Sequence, residues 1–249
     1  MKKKWIVPGL FGILLILFGG NWAISAVSWG IPENLQRILY TMVIPYGCLL
    51  PICCLLLKPM ETVPFRKANP LSMGKLLKLC VIQTGLSLPV LVILNVLLIW
   101  IFWPVTPDLP SVRSHIGFYL FLFLIFNPIL EELLFRKLIL QRLRPLGDQK
   151  ALWISAAFFA LPHLVSQGLP QLGYTFMLGL VWGATALRCS RLQECIFLHA
   201  FSNAYGMFLP LLLMQSTEGM MIQAVLNFLM VVSGLFLTFR SRKTAKVQS

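Results

Sequence analysis

Hydrophobic residues in this chain run in long unbroken blocks separated by short polar punctuation. Apolar stretches bounded by charge, Pro and Gly fall at 5–29, 36–57, 76–103, 115–143, 150–166, 171–189, 194–213 and 219–239. About 20 residues at 1.5 Å each are enough to cross the hydrocarbon of a bilayer, so each block reads as a membrane helix. The expected fold is all-α: a polytopic membrane protein with about eight transmembrane helices, residues 1–249 forming a single membrane domain.

The placement of charge tests that segmentation. With eight spans, successive loops alternate between the two sides of the membrane. Of the 21 Lys and Arg, Arg37 and Arg113 then fall on one side and every other one on the opposite side, from Lys2, Lys3 and Lys4 to Arg240, Arg242, Lys243 and Lys246. An excess of Lys and Arg marks cytoplasmic loops, so both termini are expected in the cytoplasm. A missed or invented helix would scramble the alternation. The three lysines before the first block could open a signal peptide, but some 24 apolar residues suit a retained helix better.

Composition sharpens the picture. At 58% hydrophobic and 12% charged, with mean hydropathy +0.81, the chain is not a water-soluble domain. Its net charge of +13 lies between apolar blocks and forms no basic stripe, which points to membrane lipids as partners and away from nucleic acid. An integral membrane location is expected, in the plasma membrane of a prokaryote. Residues 58–75, with Pro59, Pro64, Pro70 and several basic residues, read as a cytoplasmic loop. Trp5, Trp29, Trp100 and Trp103 sit at block ends, where indoles anchor at interfaces. Cys48, Cys53, Cys54, Cys80, Cys189 and Cys195 lie inside apolar blocks without Cys-x-x-Cys spacing and read as small buried hydrophobes.

Ionisable groups inside a bilayer are costly, and each needs a partner or a purpose. The fourth block contains Asn127-Pro-Ile-Leu-Glu131-Glu132-Leu-Leu-Phe-Arg136. Glu132 and Arg136 are one turn apart and can pair, whereas Glu131 points about 100° away and is left free to work. In the fifth block His163 follows Pro162, which has no N–H for the carbonyl one turn back. If the turn between these blocks centres on Gly147, Glu131 and His163 are equally far from it and meet at the same height of an antiparallel hairpin. Sixteen residues of helix measure about 24 Å, so that hairpin protrudes if the site is shallow. In the seventh block His199 and Asn203 share a face and supply two directional donors. His115, Asp108 and Arg113 read as loop residues on the opposite side.

Glu-Glu-x-x-x-Arg at 131–136, Phe-x-x-x-His at 159–163 and His-x-x-x-Asn at 199–203, in this order on separate helices, resemble the CAAX protease and bacteriocin-processing (CPBP, or Abi) family of intramembrane proteases. The resemblance covers residues 115–213. It implies an endopeptidase acting near the cytoplasmic leaflet on a membrane-associated peptide or lipid-modified protein. By similarity Glu131 is the general base on a water, His163 helps hold that water, and His199 with Asn203 stabilises the oxyanion. Glu132, Arg136 and Phe159 support them. Hydrolysis activated by glutamate without a cofactor is the working expectation; zinc on Glu131, His163 and His199 is the alternative, because spacing alone does not separate the two. A non-catalytic scaffold or bacteriocin self-immunity protein of the same fold is a competing reading. A proton-coupled transporter is a weaker one, since the chain shows no internal duplication.

Overall fold

The computed structural model describes residues 8–9, 11–13, 30, 32–65, 69–98, 109–189 and 191–247. Its long helices are α1 (Leu35–Leu57), α2 (Met73–Leu98), α3 (Ile116–Leu146), α4 (Asp148–Gln167), α5 (Leu169–Cys189), α6 (Leu192–Leu213) and α7 (Thr217–Val247). No strand occurs among the described residues. Each coincides with one of the apolar blocks to within a few residues, apart from the extended C-terminal end of α7. The first block, the four interfacial tryptophans and Asp108 lie almost wholly outside the described residues.

Five of these helices, α1, α2, α3, α6 and α7, are long and apolar enough to cross a membrane. The blocks at 150–166 and 171–189 fold as α4 and α5, at 20 and 21 residues, but fall outside that group. Their place in the bundle accounts for the difference. α5 packs against both α4 and α2 and buries Thr175, Gly179, Trp182, Gly183 and Thr185 among them. A helix walled by protein meets less lipid and can carry small and polar residues. α7 shows the opposite character: Met221, Val225, Phe228, Val232, Phe236 and Phe239 are all exposed and recur every three or four residues, forming one continuous apolar face suited to lipid.

Loops at one end of the bundle touch each other, as the alternation of charge requires. Arg142 Nε donates to the Leu57 carbonyl at 2.9 Å, and Arg144 Nη1 donates to the carbonyls of Val63 at 3.2 Å and Pro64 at 2.6 Å. Near the start of α6, Glu194 accepts from the Leu71 N–H at 3.4 Å. Arg113 instead donates to the Leu211 carbonyl at the other end of α6. The α3–α4 turn does centre on Gly147, whose φ of +97° is a conformation that disfavours any residue with a Cβ. Arg144 Nε closes this turn on Asp148 at 2.8 Å.

α2 and α7 cross at Gly85 and Gly234, where a Cβ on Gly85 would lie 2.7 Å from the Gly234 Cα. That contact is with backbone and has no flexible end to yield. We therefore expect Gly85→Ala to lower the thermal midpoint of the protein in detergent, at a cost of about 1–3 kcal/mol. Gly74→Ala, at a position with nothing within 4 Å, should leave it unchanged or higher. Equal midpoints for the two variants would refute this crossing.

Candidate active site

An ion pair buried between helices forms the base of the site. One turn apart on α3, Glu132 Oε2 accepts from Arg136 Nε at 2.8 Å, with both side chains fully buried. Arg136 Nη1 reaches Ser155 Oγ on α4 at 3.4 Å, and Ser155 in turn donates to the Phe135 carbonyl at 3.0 Å. The guanidinium lies over the rings of Phe159, at 5.2 Å, and Trp182, at 5.9 Å, so aromatic faces replace part of its hydration. With both side chains at zero exposure, water supplies none of the solvation of this pair.

The second oxygen of Glu132 extends the network to α6. His199 Nδ1 lies 3.1 Å from Glu132 Oε1, and because a carboxylate can only accept, the ring nitrogen is the donor. His199 Nε2 then faces Glu131 Oε2 at 3.8 Å, beyond a direct hydrogen bond. The imidazole therefore stands between the two carboxylates, fixed to the buried one and turned toward the other. Glu131 keeps 18% of its side-chain surface accessible, which separates its environment from that of its neighbour in sequence.

His163 on α4 completes the group. Its Nδ1 bonds the Phe159 carbonyl one turn back at 3.1 Å, leaving Nε2 with a lone pair, and both Glu131 and His199 lie within electrostatic reach of it. Phe159 is the shared wall, with ring centroids 5.4 Å from His163, 5.8 Å from His199, 5.3 Å from Trp182 and 5.2 Å from Phe135. Residues from the three motifs thus converge from α3, α4 and α6. Asn203, one turn beyond His199, is held by a different group: its Nδ2 donates to the Phe123 carbonyl on α3 at 2.8 Å. This bond uses one of two amide hydrogens and sets the direction of the other.

Three contributors escaped the sequence reading. Tyr46 on α1 donates to Glu131 Oε1 at 3.1 Å and meets Phe126 edge-on at 5.3 Å. Trp182 on α5 stacks on His199 with centroids 4.3 Å apart and planes 22° from parallel. Gln83 on α2 accepts from Trp182 Nε1 at 2.7 Å. Both Gln83 and Trp182 carried a usable signal: a lone amide in mid-span needs a partner, and indoles otherwise favour the interface.

No three His, Cys, Asp or Glu side chains among the described residues converge as a metal-ligand set. Of the donors expected for zinc, His199 Nδ1 is taken by Glu132, His163 Nδ1 by the Phe159 carbonyl and Glu131 Oε1 by Tyr46, which leaves Nε2 of each ring and Oε2 of Glu131 as the atoms open to another ligand. His115 and Arg113 stand apart from this site, His115 bonding Ser114 Oγ at 2.7 Å on the surface.

Residues 113–205 match the family model described as type II CAAX prenyl endopeptidase Rce1-like. The match spans all three motifs and is consistent with the CPBP family of intramembrane proteases. No curated protein and no solved structure matches the chain. With its apolar helices, the family match indicates an integral membrane protein.

Removing one partner of a fully buried ion pair strands the other charge. Arg136→Met should therefore destabilise the protein by about 3–5 kcal/mol in a denaturant titration in detergent. Adding Glu132→Leu should recover much of the loss. An Arg136→Met protein as stable as the parent would show that this pair is not buried as described.

Proposed function

We propose that this chain is a glutamate-activated intramembrane endopeptidase that hydrolyses a peptide bond near the C-terminus of a lipid-modified, CAAX-type protein or peptide. The observation that carries the reading is the contrast between the two adjacent glutamates. Both oxygens of Glu132 are engaged, by Arg136 and His199, while Glu131 remains partly accessible, 3.8 Å from His199 Nε2 and within electrostatic reach of His163. One carboxylate is committed to structure and the other is available for chemistry.

In this mechanism Glu131 takes a proton from water as the water oxygen attacks the scissile carbonyl carbon. His163, its Nδ1 anchored on Phe159, presents Nε2 to the same water and fixes its direction. The carbonyl oxygen gains the electron pair of the broken π bond and faces the remaining Asn203 N–H and the Nε2 edge of His199, which donates in this step with its ring carrying a proton on both nitrogens. Pre-oriented donors at that position need no rearrangement as charge develops. Collapse of the tetrahedral intermediate breaks the C–N bond, and the proton held by Glu131 passes to the departing amine. Tyr46, bonded to Glu131 Oε1, keeps the carboxylate from rotating away. No step requires a metal.

Depth supports access from the cytoplasmic leaflet. Glu131 lies 15 residues before the end of α3 at Leu146, and His199 seven after the start of α6 at Leu192. Helices that meet at one level with such unequal arms differ in reach by about 12 Å, so the basic α3–α4 tip overhangs the start of α6. The site then lies about 10 Å below that start, within reach of a chain end whose lipid remains in the leaflet.

Glu131→Gln should reduce cleavage of a farnesylated CAAX peptide by at least about 100-fold, with expression and thermal midpoint preserved. A Glu131→Gln protein that still cleaves would overturn the mechanism. Orientation is checked separately: in a cysteine-free background, Asp148→Cys should react with a membrane-impermeant maleimide in inverted vesicles and be protected in right-side-out ones. The reverse pattern would place the site at the opposite leaflet.

A further inference from the structure

Gln83 is a fully buried amide in the apolar helix α2, outside the segment 113–205 that matches the family model. Burying an amide costs free energy unless both ends are paired, and here both are. Its Oε1 accepts from Trp182 Nε1 at 2.7 Å, and its Nε2 donates to the Leu198 carbonyl at 3.0 Å. An indole N–H can only donate and a carbonyl can only accept, so these partners leave the amide one orientation. The two anchors flank one residue. Leu198 immediately precedes His199 in α6, and Trp182 covers the His199 ring face, 4.3 Å between centroids. Phe159 meets the same imidazole edge-on at 5.8 Å and 87°.

We infer that Gln83 and Trp182 are positioning residues for His199: together they hold the plane of its ring so that Nδ1 meets Glu132 while Nε2 faces Glu131. The amide clamps the backbone beside His199 and the indole that lies on it, joining α2, α5 and α6 through one side chain. A tilt of the imidazole would trade the Glu132 bond for a misdirected Nε2. The catalytic consequence rests on the endopeptidase reading above; the ring geometry does not.

The test separates these. The chain contains three histidines, so their ring signals in the full-length, histidine-labelled protein in lipid nanodiscs are assigned by substituting them one at a time. Ring protons of His199 over the indole are displaced upfield. Gln83→Met removes both hydrogen bonds at similar volume, and the milder Gln83→Asn keeps an amide too short to span both partners. In either variant the His199 signals should lose part of their displacement and the Trp182 indole N–H signal should move, while His115 stays in place. On a farnesylated CAAX peptide, kcat should fall roughly 10- to 100-fold, with KM within about two-fold. Trp182→Phe should act in the same direction, and Gln83→Met with Trp182→Phe together should be no worse than the poorer single variant, because the two serve one contact chain.

Unchanged His199 signals in the Gln83 variants, with only a lower thermal midpoint, would overturn the inference and leave Gln83 as helix-to-helix adhesive. Multiplying kcat losses in the double variant would also overturn it. If the parent protein cleaves no CAAX peptide, the endopeptidase reading fails for that substrate, and the His199 spectrum alone decides the role of Gln83.

Discussion

A carboxylate and a guanidinium removed wholly from solvent set the conditions for everything around them. Glu132 and Arg136 lie one turn apart on α3 with no exposed side-chain surface, where the cost of desolvation is several kcal/mol per ion. That cost is offset by partners that the protein recruits from several helices: Ser155 from α4, His199 from α6, and the faces of Phe159 and Trp182, which stand in for hydrogen bonds where Arg136 Nη2 makes none. A local pair within one helix thereby becomes the point at which the bundle is tied together.

Catalytic potential follows from the asymmetry this creates. Once Glu132 has spent its oxygens on Arg136 and His199, the orientation of His199 is settled and its other nitrogen is directed toward Glu131. Glu131 sits one residue away on a different face of α3, in contact with the hydroxyl of Tyr46 rather than with a cation. Two carboxylates of identical chemistry thus differ in surroundings because a helix turns about 100° per residue. Phe159 keeps this polar seam narrow by standing against both imidazoles, the guanidinium and the indole at once.

The helices differ in composition according to what they face. α7 shows bulky apolar residues to the outside, whereas α5 brings Gly179 against the backbone of Ala156 on α4 and buries a run of small and hydroxylated residues. Close backbone approach through small residues is the usual means of helix association where lipid offers no hydrophobic drive. It places α4 and α5 so that His163 and Trp182 reach the site from neighbouring walls.

Much of this was legible in the amino-acid order. Block length set the helices, because bilayer thickness demands about 20 apolar residues and backbone groups in hydrocarbon must pair within their own helix. Alternating charge placed the loops on two ends, and the contacts of Arg142 and Arg144 with 57–64 agree with it. The i,i+4 pairing of Glu132 with Arg136 and the turn at Gly147 are local properties, readable from spacing. The tertiary structure alone decided which distant groups met them: Tyr46 lies 85 residues from Glu131, and Gln83 lies 99 from Trp182. Pairings of that kind depend on how helices rotate and cross, which periodicity within one helix does not specify. For the same reason Asn203 could be seen to share a face with His199, but its bond to the Phe123 carbonyl could not.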